Sequence, residues 1–193
     1  MSQFMYMLAF ALSFATGAGA RAADVATTLN DQILISSLAT VSPADLIDWK
    51  VGDRMDYKIS AQGMPSVGTL VKEVTSDEGE AIWFRQTISL IGRTEVIDIL
   101  IRKSDAKVLK VVRNGREEQI PDDKPEIISS EYADVTVPAG KFRCLYVIAK
   151  TKQVERLESW INPSDTATDG VLKQVMPTGF VTLTFELTSF KRN

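Results

Sequence analysis

The sequence predicts a mainly β (α+β) protein: a curved antiparallel meander sheet or half-barrel of about nine to eleven strands, with an N-terminal helix packed on it. Three observations carry this. From Arg54 onward, apolar residues recur with period two. The apolar runs follow one another at roughly ten-residue spacing, separated by short Gly, Asn, Asp and Pro turns. The one long stretch with helical spacing lies before residue 42. The expected organisation is a leader over 1–22, a helical segment over 23–50 and an antiparallel β domain over 51–193.

The leader is the apolar run from Phe4 to Ala15, followed by small residues that end in Ala20-Arg21-Ala22. The run is too short to span a bilayer, and Ala20 and Ala22 match an A-x-A cleavage signature, so cleavage is expected after Ala22. Residues 1–10 carry no Lys or Arg, which departs from the usual charged start. Asp24 to Val41 follows as the one long helix, with Asp24 as N-cap and Val25, Leu29, Ile33 and Leu38 near one face. Ile33-Leu34-Ile35 is equally a strand start. Ser42-Pro43 opens a second, short helix, the serine at N-cap and the proline at the first helical position.

Trp49 to Asp53 leads into the strands. Met55, Tyr57, Ile59 and Ala61 alternate with polar residues. Gly63-Met64-Pro65 turns the chain into Val67–Thr75, and Asp77-Glu78-Gly79 turns it into 81–91, with Ile82, Phe84, Ile88 and Leu90 on one face. Gly92-Arg93 is a two-residue hairpin candidate before Thr94–Arg102, where Ile97, Ile99 and Ile101 point inward. Lys107–Arg113 and Arg116–Ile120 flank Asn114-Gly115, a strong type I′ signal. Pro121 to Glu126 reads as a connection. The remaining strands are Tyr132–Val137, Phe142–Lys150, Val154–Ile161, Val171–Met176 and 180–190. In the last of these, Val181, Leu183, Phe185 and Leu187 face one way. The Pro138–Lys141 turn calls for positive φ at Gly140.

Composition excludes several function classes. The chain has no histidine and one cysteine, Cys144. Imidazole-based nucleophilic catalysis, His-containing zinc sites and an internal disulfide are therefore absent. Net charge is -3 with the basic residues scattered, so no nucleic-acid partner is expected. Lys72, Glu73, Arg85, Arg156 and Glu158 would interrupt any lipid-facing band of a transmembrane barrel. Ser104-Asp105-Ala106-Lys107 fits S-x-x-K but lacks the partner motifs that chemistry needs. Asp165 to Gly170 echoes a calcium loop with two ligands missing. Asp98 reads as a solvent-facing strand acid, and Cys144 as a small core residue. No metal, cofactor or enzymatic activity is expected.

Val135-Thr136-Val137-Pro138-Ala139-Gly140-Lys141-Phe142, with Trp160 and Gly170-Val171-Leu172-Lys173, resembles the C-terminal half of a loose group of bacterial secreted or periplasmic β-rich proteins of unassigned function. Trp49–Asp53 with Tyr57 resembles that group's first strand. In outline the group is similar to the half-barrel of periplasmic Lol-type lipoprotein carriers. The resemblance implies a fold and a periplasmic or secreted location, and its motifs contain no catalytic residue.

Val96 and Leu100, opposite the isoleucines, and Leu145 and Val147 make two strands apolar on both faces, so one face is expected to meet a second layer, a ligand or a partner. The expected function is thus binding or carriage of an apolar small molecule or lipid. Its candidate face comprises Leu29, Ile33, Leu38, Ile97, Ile99, Phe142, Tyr146, Trp160, Leu183 and Phe185. The alternative is a structural or protein-interaction module of the cell envelope with no small-molecule ligand.

Overall fold

The computed structural model describes residues 48–193, apart from 91, 121–124, 153 and 179–180. The expected leader and N-terminal helix lie outside the described residues. So do Leu29, Ile33 and Leu38. Among the described residues every regular element is a strand: β1 (Arg54–Ala61), β2 (Met64–Asp77), β3 (Ala81–Leu90), β4 (Arg93–Arg102), β5 (Val108–Arg113), β6 (Arg116–Glu118), β7 (Glu126–Val137), β8 (Gly140–Lys150), β9 (Leu157–Ile161), β10 (Val171–Thr178) and β11 (Val181–Lys191). None of these residues forms a helix long and apolar enough to cross a membrane.

All eleven strands belong to one antiparallel sheet in the order β6-β5-β4-β3-β2-β1-β11-β10-β9-β8-β7. The first and last strands pair at its centre, and the two edges, β6 and β7, are neighbours in sequence. Chain geometry forces this sheet to curl. From Glu118 to Glu126 the backbone takes eight steps and reaches at most about 29 Å. Ten flat strand spacings would separate those edges by roughly 48 Å. The sheet is nonetheless unclosed, since β6 pairs with β5 alone and β7 with β8 alone.

One face is buried over the body of the sheet, away from its edges. It presents Met55, Tyr57 and Ile59 from β1, Leu70 and Val74 from β2, Ile82, Phe84 and Ile88 from β3, and Ile97, Ile99 and Ile101 from β4. Leu183, Phe185 and Leu187 of β11 join them. At the far end the β7–β8 hairpin tip folds back over the sheet: Ala139 N–H donates to the Leu187 carbonyl at 3.0 Å, and Phe142 meets Phe190 edge-on at 6.3 Å.

The turns follow their residues. Asn114 (φ 49) and Gly115 (φ 80) form the expected hairpin between Arg113 and Arg116. Gly140 sits at φ 147, beyond the two-residue Pro138-Ala139 loop. The β3–β4 loop lies one position earlier than expected: Leu90 pairs with Arg93, and Gly92 (φ 76) takes the second loop position. β7 begins six residues before the expected Tyr132, because Glu126–Glu131 buries neither face and so shows no alternation. β9 begins three residues late, because Thr151 and Val154 close a turn through Thr151 N–H to the Val154 carbonyl at 2.8 Å.

Candidate functional site

The loop 162–170, which joins β9 to β10, reads Asn-Pro-Ser-Asp-Thr-Ala-Thr-Asp-Gly. Such residues bond their own backbone and favour compact turns. The Asp165 N–H donates to Asn162 Oδ1 at 3.0 Å, the Thr166 hydroxyl to the Asn162 carbonyl at 2.5 Å, and the Gly170 N–H to the Ala167 carbonyl at 3.0 Å. Gly170 adopts φ 69, and a Cβ there would overlap the backbone of Pro163. Thr166, Ala167, Thr168 and Asp169 are all buried. The loop is therefore a plug set into the sheet's buried face.

Asp169 anchors the plug. Its Oδ2 lies 2.5 Å from Lys72 Nζ on β2, with the two side chains 1% and 2% exposed. The ammonium stands 5.2 Å from the centre of the Tyr57 ring, and the Tyr57 hydroxyl donates to the Val171 carbonyl at 2.7 Å. The Thr168 hydroxyl donates to Met55 Sδ at 3.0 Å. Burial, reinforced by the Asp169 carboxylate, pushes the Tyr57 phenol well above the ordinary tyrosine range. The cluster thus holds one cation, one anion and one neutral phenol. A lysine supplies the positive charge that the calcium-loop echo would have asked of a metal.

Cross-strand register places Lys72 beside Gln86, Gln86 beside Ile97 and Ile97 beside Arg113. These four form a transverse row on the buried face. Arg113 donates to Glu95 at 3.1 Å and Glu118 at 2.9 Å. Gln86 is 0% exposed, and neither its amide oxygen nor its amide nitrogen has a partner among the described residues. On β10 the other buried glutamine, Gln174, donates to Ser159 Oγ at 3.1 Å.

The structure divides the predicted apolar face. Ile97, Ile99, Leu183 and Phe185 share the buried face. Tyr146 and Trp160 instead stack on each other at 4.6 Å in a different row. Register continues that row from Trp160 to Lys173, Glu186 and Lys58, with Lys173 Nζ 5.5 Å from the Trp160 ring. The Tyr146 hydroxyl donates to Glu158 at 2.8 Å, and Tyr146, Trp160, Lys173 and Glu186 are half-buried. Phe142 belongs to the hairpin tip. Of the residues expected opposite the buried runs, Val96 and Leu100 lie there, half-buried; Leu145 and Val147 instead lie beside Ile161 and Ser159 on the buried face, Val147 half-buried and Leu145 exposed.

The remaining motifs fall into place singly. Ser104 lies in the exposed β4–β5 turn. Asp98 is bonded to Arg85 at 2.6 Å. Cys144 is buried and donates to the Ala133 carbonyl at 3.3 Å; burial, then Asp134, raises its thiol above the usual range. No group of three metal-ligating side chains occurs among the described residues. Lys72, Gln86 and Asp169 were the residues that sequence reasoning missed. The signal was phase: Lys72 alternates with Leu70 and Val74, and Gln86 with Phe84 and Ile88.

No protein-family model matches the chain, and no curated protein matches it. Among solved structures it is similar to a candidate exported protein with a YmcC-like fold from Bacteroides fragilis. The identity is 12% and the TM-score 0.49, with 76% of this chain and 99% of that one covered. A candidate lipoprotein from Parabacteroides distasonis matches at 9% identity and TM-score 0.42, covering 74% and 96%. The MucA/MucB complex of Pseudomonas aeruginosa matches at 15% identity and TM-score 0.43, covering 87% of this chain but 56% of that one. At these identities and scores the likenesses carry no argument about function.

Proposed function

We propose that the chain is an exported protein of the bacterial cell envelope that works by binding rather than by catalysis, and that it binds another envelope protein. One observation carries the non-catalytic reading. The chemically capable side chains of the buried face are committed to one another: Lys72 to Asp169, and Arg113 to Glu95 and Glu118. Export rests on the apolar leader ending at Ala20-Arg21-Ala22. Expression of the full chain in a Gram-negative host, followed by fractionation, in-cell cross-linking and N-terminal sequencing, tests this. The expected result is periplasmic protein beginning at Ala23, with a discrete cross-linked protein adduct. Soluble protein retained in the cytoplasm with Met1 intact, or the absence of any adduct, overturns it.

A second reading, carriage of an apolar molecule with a polar group, is favoured by Gln86, which stands between Lys72 and Ile97 and whose amide has no partner among the described residues. Native mass spectrometry of the exported protein separates the two. A lipid released on denaturation supports the carrier; a bare mass supports the protein-binding module.

A further inference from the structure

We propose that the outer edge of β7, from Glu126 to Tyr132, docks an extended segment of a partner protein in which apolar and basic residues alternate. This inference rests on the protein-binding reading above and names its surface. β7 ends the sheet and pairs with β8 alone, so along its other side alternate N–H and C=O groups face no strand among the described residues. Every residue from Glu126 to Tyr132 is exposed, including Ile127 at 62%, Ile128 at 55% and Tyr132 at 77%. A register shift between Ile127 and Ser129 leaves Ile128 without an opposite number on β8.

The other edge shows what protection looks like. β6 is three residues long, all exposed and all charged: Arg116, Glu117 and Glu118. Short, charged edges discourage strand addition. β7 runs for twelve residues with no lysine and no proline. It is therefore the edge at which strand addition can supply main-chain hydrogen bonds, while Ile127, Ile128 and Tyr132 supply apolar contact.

Charge selects the occupant. β7 itself carries three carboxylates, Glu126, Glu131 and Asp134, and no lysine or arginine. Glu126 is answered by Lys150 at 3.0 Å, but Glu131 and Asp134 have no ion pair among the described residues. A second copy of this chain would bring the same acids against them, and like charges on paired strands repel. Register puts Ile127 and Tyr132 on one face of β7 and Glu126 and Glu131 on the other, so a strand that alternates apolar residues with lysine or arginine meets both demands.

Fluorescence anisotropy with the full-length protein and a labelled short peptide of alternating valine and lysine tests this. Saturable binding that weakens with added salt is expected. A valine–glutamate peptide, and a valine–lysine peptide N-methylated along one edge, should each bind about tenfold or more weakly. Tyr132→Lys and Ile128→Lys alter exposed side chains and should cut peptide affinity to the same degree without moving the urea midpoint. Equal binding of the glutamate peptide, undiminished binding by both variants, or a dimer that these variants dissolve overturns the proposal. A cross-linked envelope partner that persists in Tyr132→Lys would overturn this surface while leaving the protein-binding reading intact. Loss of every adduct from the wild-type chain would overturn that reading itself.

Discussion

Lys72 and Gln86 face each other across β2 and β3, both on the buried face, and their surroundings differ completely. Lys72 meets a carboxylate delivered by the 162–170 plug, with the Tyr57 ring beside it. Gln86 stands between that lysine and Ile97, and its amide has no partner among the described residues. The difference shows that burial of a polar group has no single meaning. On the β1–β2 side the polar atoms hold the plug in place, and removing one partner strands the other. On the β3–β4 side the amide contributes only its desolvation cost, on the order of 1–3 kcal/mol for an unsatisfied buried group.

Breaking the satisfied side should have the largest effect. Asp169→Ala leaves Lys72 charged, buried and unpaired, and should lower stability by roughly 3–5 kcal/mol. Urea denaturation measures this, and Lys72→Met added to Asp169→Ala should recover much of the loss. A double variant as unstable as the single one would show that Asp169 acts through the plug's own turns instead.

Tyr57→Phe probes the same cluster more gently. It removes the hydrogen bond to the Val171 carbonyl and should cost about 1–2 kcal/mol at neutral pH. It should also change the alkaline limb. The Tyr57 phenol is raised in the folded state, so above about pH 10 an unfolded tyrosine loses its proton while the folded one keeps it. The folded state then binds more protons, and stability falls as pH rises through that range. Melts from pH 8 to 11 should show a shallower fall in Tyr57→Phe than in the wild type.

The orphan side should respond with the opposite sign. Gln86→Met keeps the shape and removes the unanswered amide, and should leave stability unchanged or raise it by about 1 kcal/mol. A loss above about 2 kcal/mol would show that the amide is answered in solution. The smallest effect belongs to the outer surface. Arg85 and Asp98 pair at 2.6 Å, but Arg85 is largely solvated, so Arg85→Ala should cost under about 1 kcal/mol.

Period-two alternation made the sheet readable from sequence, because most of its strands bury one face and the turns between them use Gly, Asn and Asp. Ile97, Ile99, Leu183 and Phe185 were legible as one face for that reason. Tyr146 and Trp160 were not separable from them: an aromatic ring suits either a core or a stacked surface pair, and only cross-strand register decides which. The Lys72–Asp169 pair was beyond reach because it links positions 97 residues apart through a loop. Its polar residues show in sequence only an incomplete calcium-loop echo over Asp165–Gly170, with nothing to mark the loop as buried. The length of β7 was hidden for the converse reason, since a strand exposed on both sides carries no periodic signal.

The pairing of β1 with β11 has a kinetic consequence. Arg54 lies against Lys191 and Ala61 against Leu183, so the two halves of the sheet join only when β11 is in place. The β1–β6 hairpins form from neighbours in sequence and can assemble early. Closing the β1–β11 contact costs roughly 4 kcal/mol of loop entropy before any ladder bond repays it. A chain threaded through an export channel with its N-terminus leading would therefore remain unfinished until β11 had cleared. In such a chain β11 acts as a timer, holding back the completed sheet until that strand has passed.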